Sequence, residues 1–500
     1  MPVVWRRRVA VVAGPAVFLA LLFGFDPVPG QPAVGRTLAV AAWLAVYWLT
    51  EALPVAATAL LPVVLLPLLG VMDASQVASQ YMNDLLFLFL GGFLLAIAMQ
   101  EWGLHRRIAL RILAWIGRSP STILLGVMGA TWMMSWWVSN TATTLMMLPI
   151  VLALVAKFEE SAGEGARGLT VALLLGVAYG ASIGGMATLI GTAPNLVFLR
   201  VYALTFPDAP PVTFFTWMLV AAPVSLVIGV LAFAYLRATS LKRCSVAVDR
   251  GVIEHERRAL GRLTFEERVV FATFLAFVVL VVTRADVVFG DATVRGWASR
   301  IGVGNRLGDG AVAIGAALVL FFVPARSRAG FVLEAPAIGR LPWDIVLLFG
   351  GGFALAEAFQ VSGASQYLGG ELAGLADAPP LLLLFVVCAM VCFLSELASN
   401  TALAQVVLPV LGSMAAATGI HPLFLMVPAT LAASCGFMLP VATPPNAIVF
   451  GTRRVRTHEM VRAGVAIDWM GIAVVTIAMY VWGRFVLGID LGAPPAWLTD

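Results

Sequence analysis

Ser135-Trp136-Trp137-Val138-Ser139-Asn140-Thr141 interrupts the apolar run 121–156, and 260 positions later Ser395-Glu396-Leu397-Ala398-Ser399-Asn400-Thr401 interrupts the run 380–417. Each run is too long for one crossing of about 20 residues, and its polar break lies near the middle. Each therefore reads as a re-entrant hairpin, because irregular backbone survives at membrane depth only where protein or a water-lined cavity satisfies it. The same offset of 260 relates Gly91-Gly92-Phe93 to Gly351-Gly352-Phe353 and Pro149 to Pro409. Further on, Thr192-Ala193-Pro194-Asn195 matches Thr443-Pro444-Pro445-Asn446 at an offset of 251, so a single length difference, most simply in the loop 157–168, separates two copies.

Composition places these copies in a membrane. Charged residues make up 12% of the 500 and hydrophobic residues 61%, with a mean hydropathy of +0.96, whereas a soluble chain carries about 25% charged and 45–50% apolar residues. A soluble enzyme and a nucleic-acid binder are excluded. So much apolar and aromatic surface also excludes disorder, and continuous runs of about 18 or more residues are helices rather than barrel strands. Cys244, Cys388, Cys392 and Cys435 form no disulfide framework, and with the four scattered histidines they form no zinc site.

The run Val9 to Phe25 follows Arg6, Arg7 and Arg8 without a small-residue cleavage site and reads as a retained helix. Further spans fall at 36–52, 54–71, 83–100, 169–200, 213–236, 266–284, 309–324, 343–360, 422–450 and 465–487. With both hairpins returning, about eleven crossings result. An inside N-terminus then puts 24 of the 31 Lys and Arg residues inside, as the positive-inside bias demands, and the C-terminus outside. Five crossings separate the two Ser-Asn-Thr segments, so the second copy is inverted. Inverted repeats with interrupted helices mark secondary transporters, with the site at the repeat interface near the midplane. The basic stretch 238–268 joins the copies.

Each copy supplies two polar breaks: the hairpin tip, and a broken helix at Gly191-Thr192-Ala193-Pro194-Asn195 or Ala442-Thr443-Pro444-Pro445-Asn446. Half-helix N-termini with Asn and Thr side chains aim donors at an anion, while freed carbonyls and Ser or Asn oxygens suit a small hard cation. Across 131–149, 180–199, 391–410 and 430–450 there is no Lys, Arg or His. A buried anion needs compensation, which cations travelling with it would supply. Asn195 and Asn446 suit either a helix cap or a ligand contact. Among the acids, Glu51 reads as a boundary residue, Asp84 as interfacial, and Glu396 as one that tunes the neighbouring cation or bonds the hairpin. An intramembrane hydrolase finds no nucleophile and base, with Glu51 and Glu396 its only plausible acids. Hairpins opening from opposite sides suit alternating access better than a channel.

The stretch Ser434 to Val449, the paired Ser-Asn-Thr motifs and the Thr50-Glu51-Ala52-Leu53-Pro54 start resemble the divalent anion:sodium symporters, which include dicarboxylate, citrate and sulfate carriers. The resemblance covers nearly the whole chain. It implies a homodimeric elevator in a bacterial inner membrane, with scaffold parts at 1–118 and 269–378, transport parts at 119–237 and 379–500, and a cytoplasmic connector at 238–268. It further implies one sodium site from Ser135, Ser139, Asn140 and Gly191, and a second from Ser395, Asn400 and Ala442. A C4 dicarboxylate would lie between Asn140-Thr141 and Ser399-Asn400-Thr401, with Thr192-Ala193 and Thr443-Pro444 beside it. Two intact Ser-Asn-Thr copies favour dicarboxylate over sulfate. No resident cofactor is implied. The first break departs from the family's usual pair of prolines at Ala193.

Overall fold

The computed structural model describes residues 3–116, 119–242, 257–289, 292–304, 306–372, 374 and 378–499. Arg118, Cys244, His255 and positions 243–256 of the basic connector lie outside the described residues. Among those described, seven helical segments are long and apolar enough to cross a membrane, and Arg8–Gly24, Val55–Leu68, Asp309–Phe322, Pro380–Ser395 and Pro422–Ala433 are shorter apolar helices. The expected continuous span 54–71 is instead two pieces, Val55–Thr58 and Leu61–Leu68. Pro62 and Pro67 lack the N–H that an unbroken helix would use. A two-stranded hairpin, Val287–Phe289 with Ala292–Val294, corrects the all-α expectation.

Both copies unfold the same series of elements. The first runs Asp84–Glu101, Leu104–Ile116, the hairpin Pro120–Ser135 and Asn140–Ala162, the broken helix Arg167–Gly185 and Ala193–Thr205, then Phe214–Ser240. The second runs Trp343–Ser362, Ala364–Leu372, the hairpin Pro380–Ser395 and Asn400–Thr418, the broken helix Pro422–Ala433 and Pro444–Gly451, then Thr457–Ala478. Each entering hairpin helix has 16 residues, about 24 Å at 1.5 Å per residue, short of a hydrocarbon core of about 30 Å. A descent and return is what that length permits.

The repeated glycines hold the copies' outer helices. A Cβ on Gly91 would fall 2.5 Å from the Ala313 carbonyl carbon, and one on Gly351 would fall 2.5 Å from Ala59 O. Asp84–Glu101 can thus lie directly on Asp309–Phe322, and Trp343–Ser362 on the short helix Val55–Thr58, the small-residue packing that membrane helices need when lipid supplies no hydrophobic drive. The inner elements cross over: Pro444–Gly451 of the second copy packs on Asn140–Ala162 of the first, and Ala193–Thr205 on Asn400–Thr418. Each hairpin is therefore braced by the other copy's restarted helix.

Candidate functional site

In the first copy, Ser135 at the hairpin's end donates its Oγ proton to Ala181 O at 2.7 Å, and the same Oγ lies 2.9 Å from the Asn140 side-chain amide. That same corner of the Asn140 amide lies 3.2 Å from Gly191 O and 3.1 Å from Ala181 O. An NH2 turned there donates to both carbonyls. The hydrogen bonds to Ser135 Oγ and these carbonyls favour the NH2 in that corner; turned the other way, the amide oxygen would join the carbonyls as a candidate cation ligand. Room exists because the neighbours are glycines: a Cβ on Gly185 would sit 2.1 Å from Asn140 Oδ1, and one on Gly191 would sit 2.5 Å from Gly185 O. Asn140 Nδ2 reaches Thr192 Oγ1 at 3.5 Å, which joins the hairpin to the broken helix.

The second copy repeats the core of this arrangement. Ser395 Oγ lies 2.6 Å from Ala433 O and 2.7 Å from Asn400 Oδ1, its single proton going to one of them. A Cβ on Gly436 would lie 3.5 Å from Ala442 Cβ, 3.6 Å from Thr443 Cγ2 and 3.7 Å from Ser395 O, so these residues share one neighbourhood. Ser135 and Ser395 are fully buried.

The remaining expected site residues line the restarted helices. Ser139 caps Asn140–Ala162 by accepting from Ala142 N at 3.3 Å, so one of its lone pairs is already engaged. Thr443 caps Pro444–Gly451 through Asn446 N at 3.3 Å. Ala193 and Pro444 are the first residues of their helices, and Ser399 immediately precedes Asn400–Thr418. Thr141 and Thr401 stand half-buried in first turns. Neither hydroxyl is engaged by a hydrogen bond among the described residues, which leaves both available to a ligand near the positive end of a helix dipole.

Asn195 and Asn446 take a third role, beyond the cap and ligand contact that their positions suggest. The Asn195 amide donates to Thr188 O at 2.7 Å, Gly185 O at 3.3 Å and Met186 O at 3.4 Å. Asn446 donates to Leu439 O at 3.0 Å and Gly436 O at 3.2 Å. Both side chains staple carbonyls of the unwound backbone that links the two half-helices. The recurrence of Asn ten residues after Gly185 and Gly436 was the available signal.

Glu396 bonds the second break, accepting from Met438 N and Leu439 N at 2.7 Å each. Asp468, which the sequence reading passed over, accepts from Phe437 N at 3.1 Å and lies within hydrogen-bond reach of Glu396. Both are buried, and neither joins an ion pair among the described residues. A lone acid within an apolar helix is itself a signal of function or special packing. Glu51 is exposed, with φ 48° where its helix ends, and Asp84 opens a helix and accepts from Gly310 N at 3.4 Å. Cys388, Cys392 and Cys435 are free and buried.

Residues 5–489 match the family model described as the sodium:sulfate symporter transmembrane region. The chain is 38% identical over 497 residues to the sodium-dependent dicarboxylate transporter SdcS of Staphylococcus saprophyticus, covering 98% of this chain and 93% of that one. It is 37% identical over 498 residues to the Staphylococcus aureus transporter of the same name, with the same coverage of 98% and 93%. A solved structure of the Alcanivorax borkumensis YdaH transporter superposes with a TM-score of 0.54 at 14% identity, over 83% of this chain and 89% of that one. At that identity the likeness concerns the fold alone.

Proposed function

The chain belongs to the sodium:sulfate symporter family, and we propose that it imports a C4 dicarboxylate of the succinate, fumarate or malate class together with sodium. It is a multi-pass membrane transporter and not an enzyme, and sodium enters as a co-transported ion. The observation that carries the reading is the doubled polar cluster, Ser135 with Asn140 and Ser395 with Asn400, in breaks that contain no Lys, Arg or His. A dianion there requires mobile cations beside it.

In this reading Ser135, Ser139, Asn140 and Gly191 hold one sodium ion, and Ser395, Asn400 and Ala442 hold the other. The ions neutralise the carboxylates as they bind. The free hydroxyls of Thr141 and Thr401, with the first N–H groups of their helices, take one carboxylate each. Ser399, Thr192, Ala193, Thr443 and Pro444 bound the space between. The parts at 119–237 and 379–500 carry this site as a unit past the scaffold parts 1–118 and 269–378, an elevator movement within about eleven crossings and two hairpins. The chain works as a homodimer in a bacterial inner membrane, with the N-terminus and the 238–268 connector in the cytoplasm and the C-terminus outside. The dicarboxylate names of the two staphylococcal relatives support the substrate class.

Purified protein in proteoliposomes should accumulate labelled succinate only under an inward sodium gradient. Equal uptake with choline replacing sodium, given counter-substrate inside, would establish an exchanger and refute the coupling. The family description keeps sulfate as the second reading, and competition separates the two: excess succinate, but not sulfate, should block uptake.

A further inference from the structure

The two copies also meet away from the candidate site. The start of Arg167–Gly185, the end of Phe214–Ser240 and the start of Thr457–Ala478 surround a cavity of about 690 Å³. Its frame is fixed on all sides. A Cβ on Gly168 would fall 2.1 Å from Ser240 O, so the two helices of the first copy touch there. Tyr235 Oη donates to Arg462 O at 3.2 Å, and Arg167 donates to Glu459 Oε2 and to Arg454 O at 2.7 Å each. Those bonds tie both helices to the second copy.

Charge and shape both select an occupant. Lys242 and Arg462 line the cavity and are exposed, and neither side chain has a hydrogen bond or ion pair among the described residues. Arg167 is neutralised by Glu459, and Glu164, which also lines the cavity, offsets one of the other two, so a single positive charge is left over. The floor is apolar, formed by Val171, Leu175 and Ala463, all buried. Outside it, Val227, Val230, Ala234 and Ala238 follow one another by three or four residues and so share a helix face. Val227 is 47% and Val230 56% exposed, and Ala238 reaches the cavity. From Val227 to Ala238 the helix rises about 16 Å, against about 15 Å for one leaflet of a hydrocarbon core of about 30 Å. A bare apolar face one leaflet long thus ends at a basic pocket.

We propose that this cavity binds the headgroup of an anionic phospholipid, a singly charged phosphodiester such as phosphatidylglycerol, whose acyl chain lies along Val230 and Val227. Basic pockets between transmembrane helices are where anionic headgroups are recognised, and the Lys242 ammonium and Arg462 guanidinium supply charge-assisted hydrogen bonds to phosphate oxygens. A headgroup held by both joins a helix end of the first copy to a helix start of the second. It reinforces the seam that Arg167 and Glu459 already make. Only the membrane-spanning architecture is needed from the transport reading; sodium and dicarboxylate do not enter.

The test titrates full-length protein in maltoside detergent with phosphatidylglycerol and reads bound lipid by native mass spectrometry and by the rise in melting temperature. Lys242→Gln combined with Arg462→Gln should weaken binding about thirtyfold, each basic residue contributing about fivefold, and the exchange Lys242→Arg with Arg462→Lys should preserve it. Arg237→Gln, in the last turn of Phe214–Ser240 but not lining the cavity, should leave binding unchanged. An unaltered melting temperature of the lipid-free double variant shows that it folds; if it does not, Arg462→Gln alone should give the fivefold loss. Equal affinity for zwitterionic phosphatidylcholine, or a loss in the double variant no greater than in Arg237→Gln, would overturn the proposal. Inorganic phosphate raising the melting temperature as far as the lipid does would assign the cavity to a free anion and overturn it too. Uptake is not part of the readout, so failure here is distinguishable from failure of the transport reading.

Discussion

A methyl group on Gly185 should disable the first of the two proposed cation sites, while the repeat-related Gly436→Ala should be tolerated. The new Cβ would fall 2.1 Å from Asn140 Oδ1 at Gly185, but no closer than 3.5 Å to any neighbour at Gly436. Neither glycine has a left-handed φ, so backbone strain does not enter. The Asn140 side chain must swing away, giving up its 2.9 Å contact with Ser135 Oγ and its approach to the Gly191 and Ala181 carbonyls. Overpacking costs about 1–3 kcal/mol, against a helix-propensity gain for alanine of at most about 1 kcal/mol, so the protein should still fold. Losing one oxygen to a charged partner costs about 1.5–3 kcal/mol, or about ten- to 150-fold in sodium affinity. The assay is the sodium concentration giving half-maximal succinate uptake in proteoliposomes. An unshifted value for Gly185→Ala, or an equal shift for Gly436→Ala, would refute the reasoning.

Asn140→Ala and Asn400→Ala should each abolish uptake while eluting as folded protein on gel filtration, since each removes an anion donor and a cation ligand together; near-normal transport in both would sink the site assignment. Asn446→Leu strands the Gly436 and Leu439 carbonyls at about 1–3 kcal/mol for each buried group, which a lowered melting temperature in detergent would register. His421, outside the span that follows it, is held down to about 4 by burial, against an ordinary 6.5. The unfolded chain therefore binds the extra proton between those values, so His421 contributes stability that is complete above about pH 6.5 and lost as pH falls toward about 4. His421→Phe should flatten that part of a stability-against-pH curve.

The repeat was legible because membrane thickness turns helix length into a strict measure: two overlong runs with central polar breaks had few other readings. The Ser135 to Asn140 and Ser395 to Asn400 contacts follow from the same pattern, since a residue and its fifth neighbour face each other across a tight hairpin tip. Less legible was what the other polar residues bond. Asn195 and Asn446 turn back to carbonyls seven to ten residues earlier, a choice set by where the unwound backbone runs. Asp468 lay hidden because its partners Phe437 and Glu396 belong to other elements. The break in 54–71 was visible in its prolines, yet hydropathy alone reads through them.

The copies also differ in charge at matched positions, which bears on cation coupling. At the two offsets, Trp136 corresponds to Glu396, Trp217 to Asp468 and Met186 to Phe437. In the first copy neutral donors serve the break: Thr188 Oγ1 donates to Trp136 O, and Trp217 Nε1 donates to Met186 O at 3.1 Å. In the second, buried carboxyl groups accept from the N–H groups of Phe437, Met438 and Leu439. The same architectural task is done by donors in one copy and by acids in the other. Whatever negative charge those acids hold has no ion pair among the described residues, so a cation near Ser395 and Asn400 is the compensation within reach. The second cluster thus has two buried carboxyl groups beside it where the first has none among the described residues.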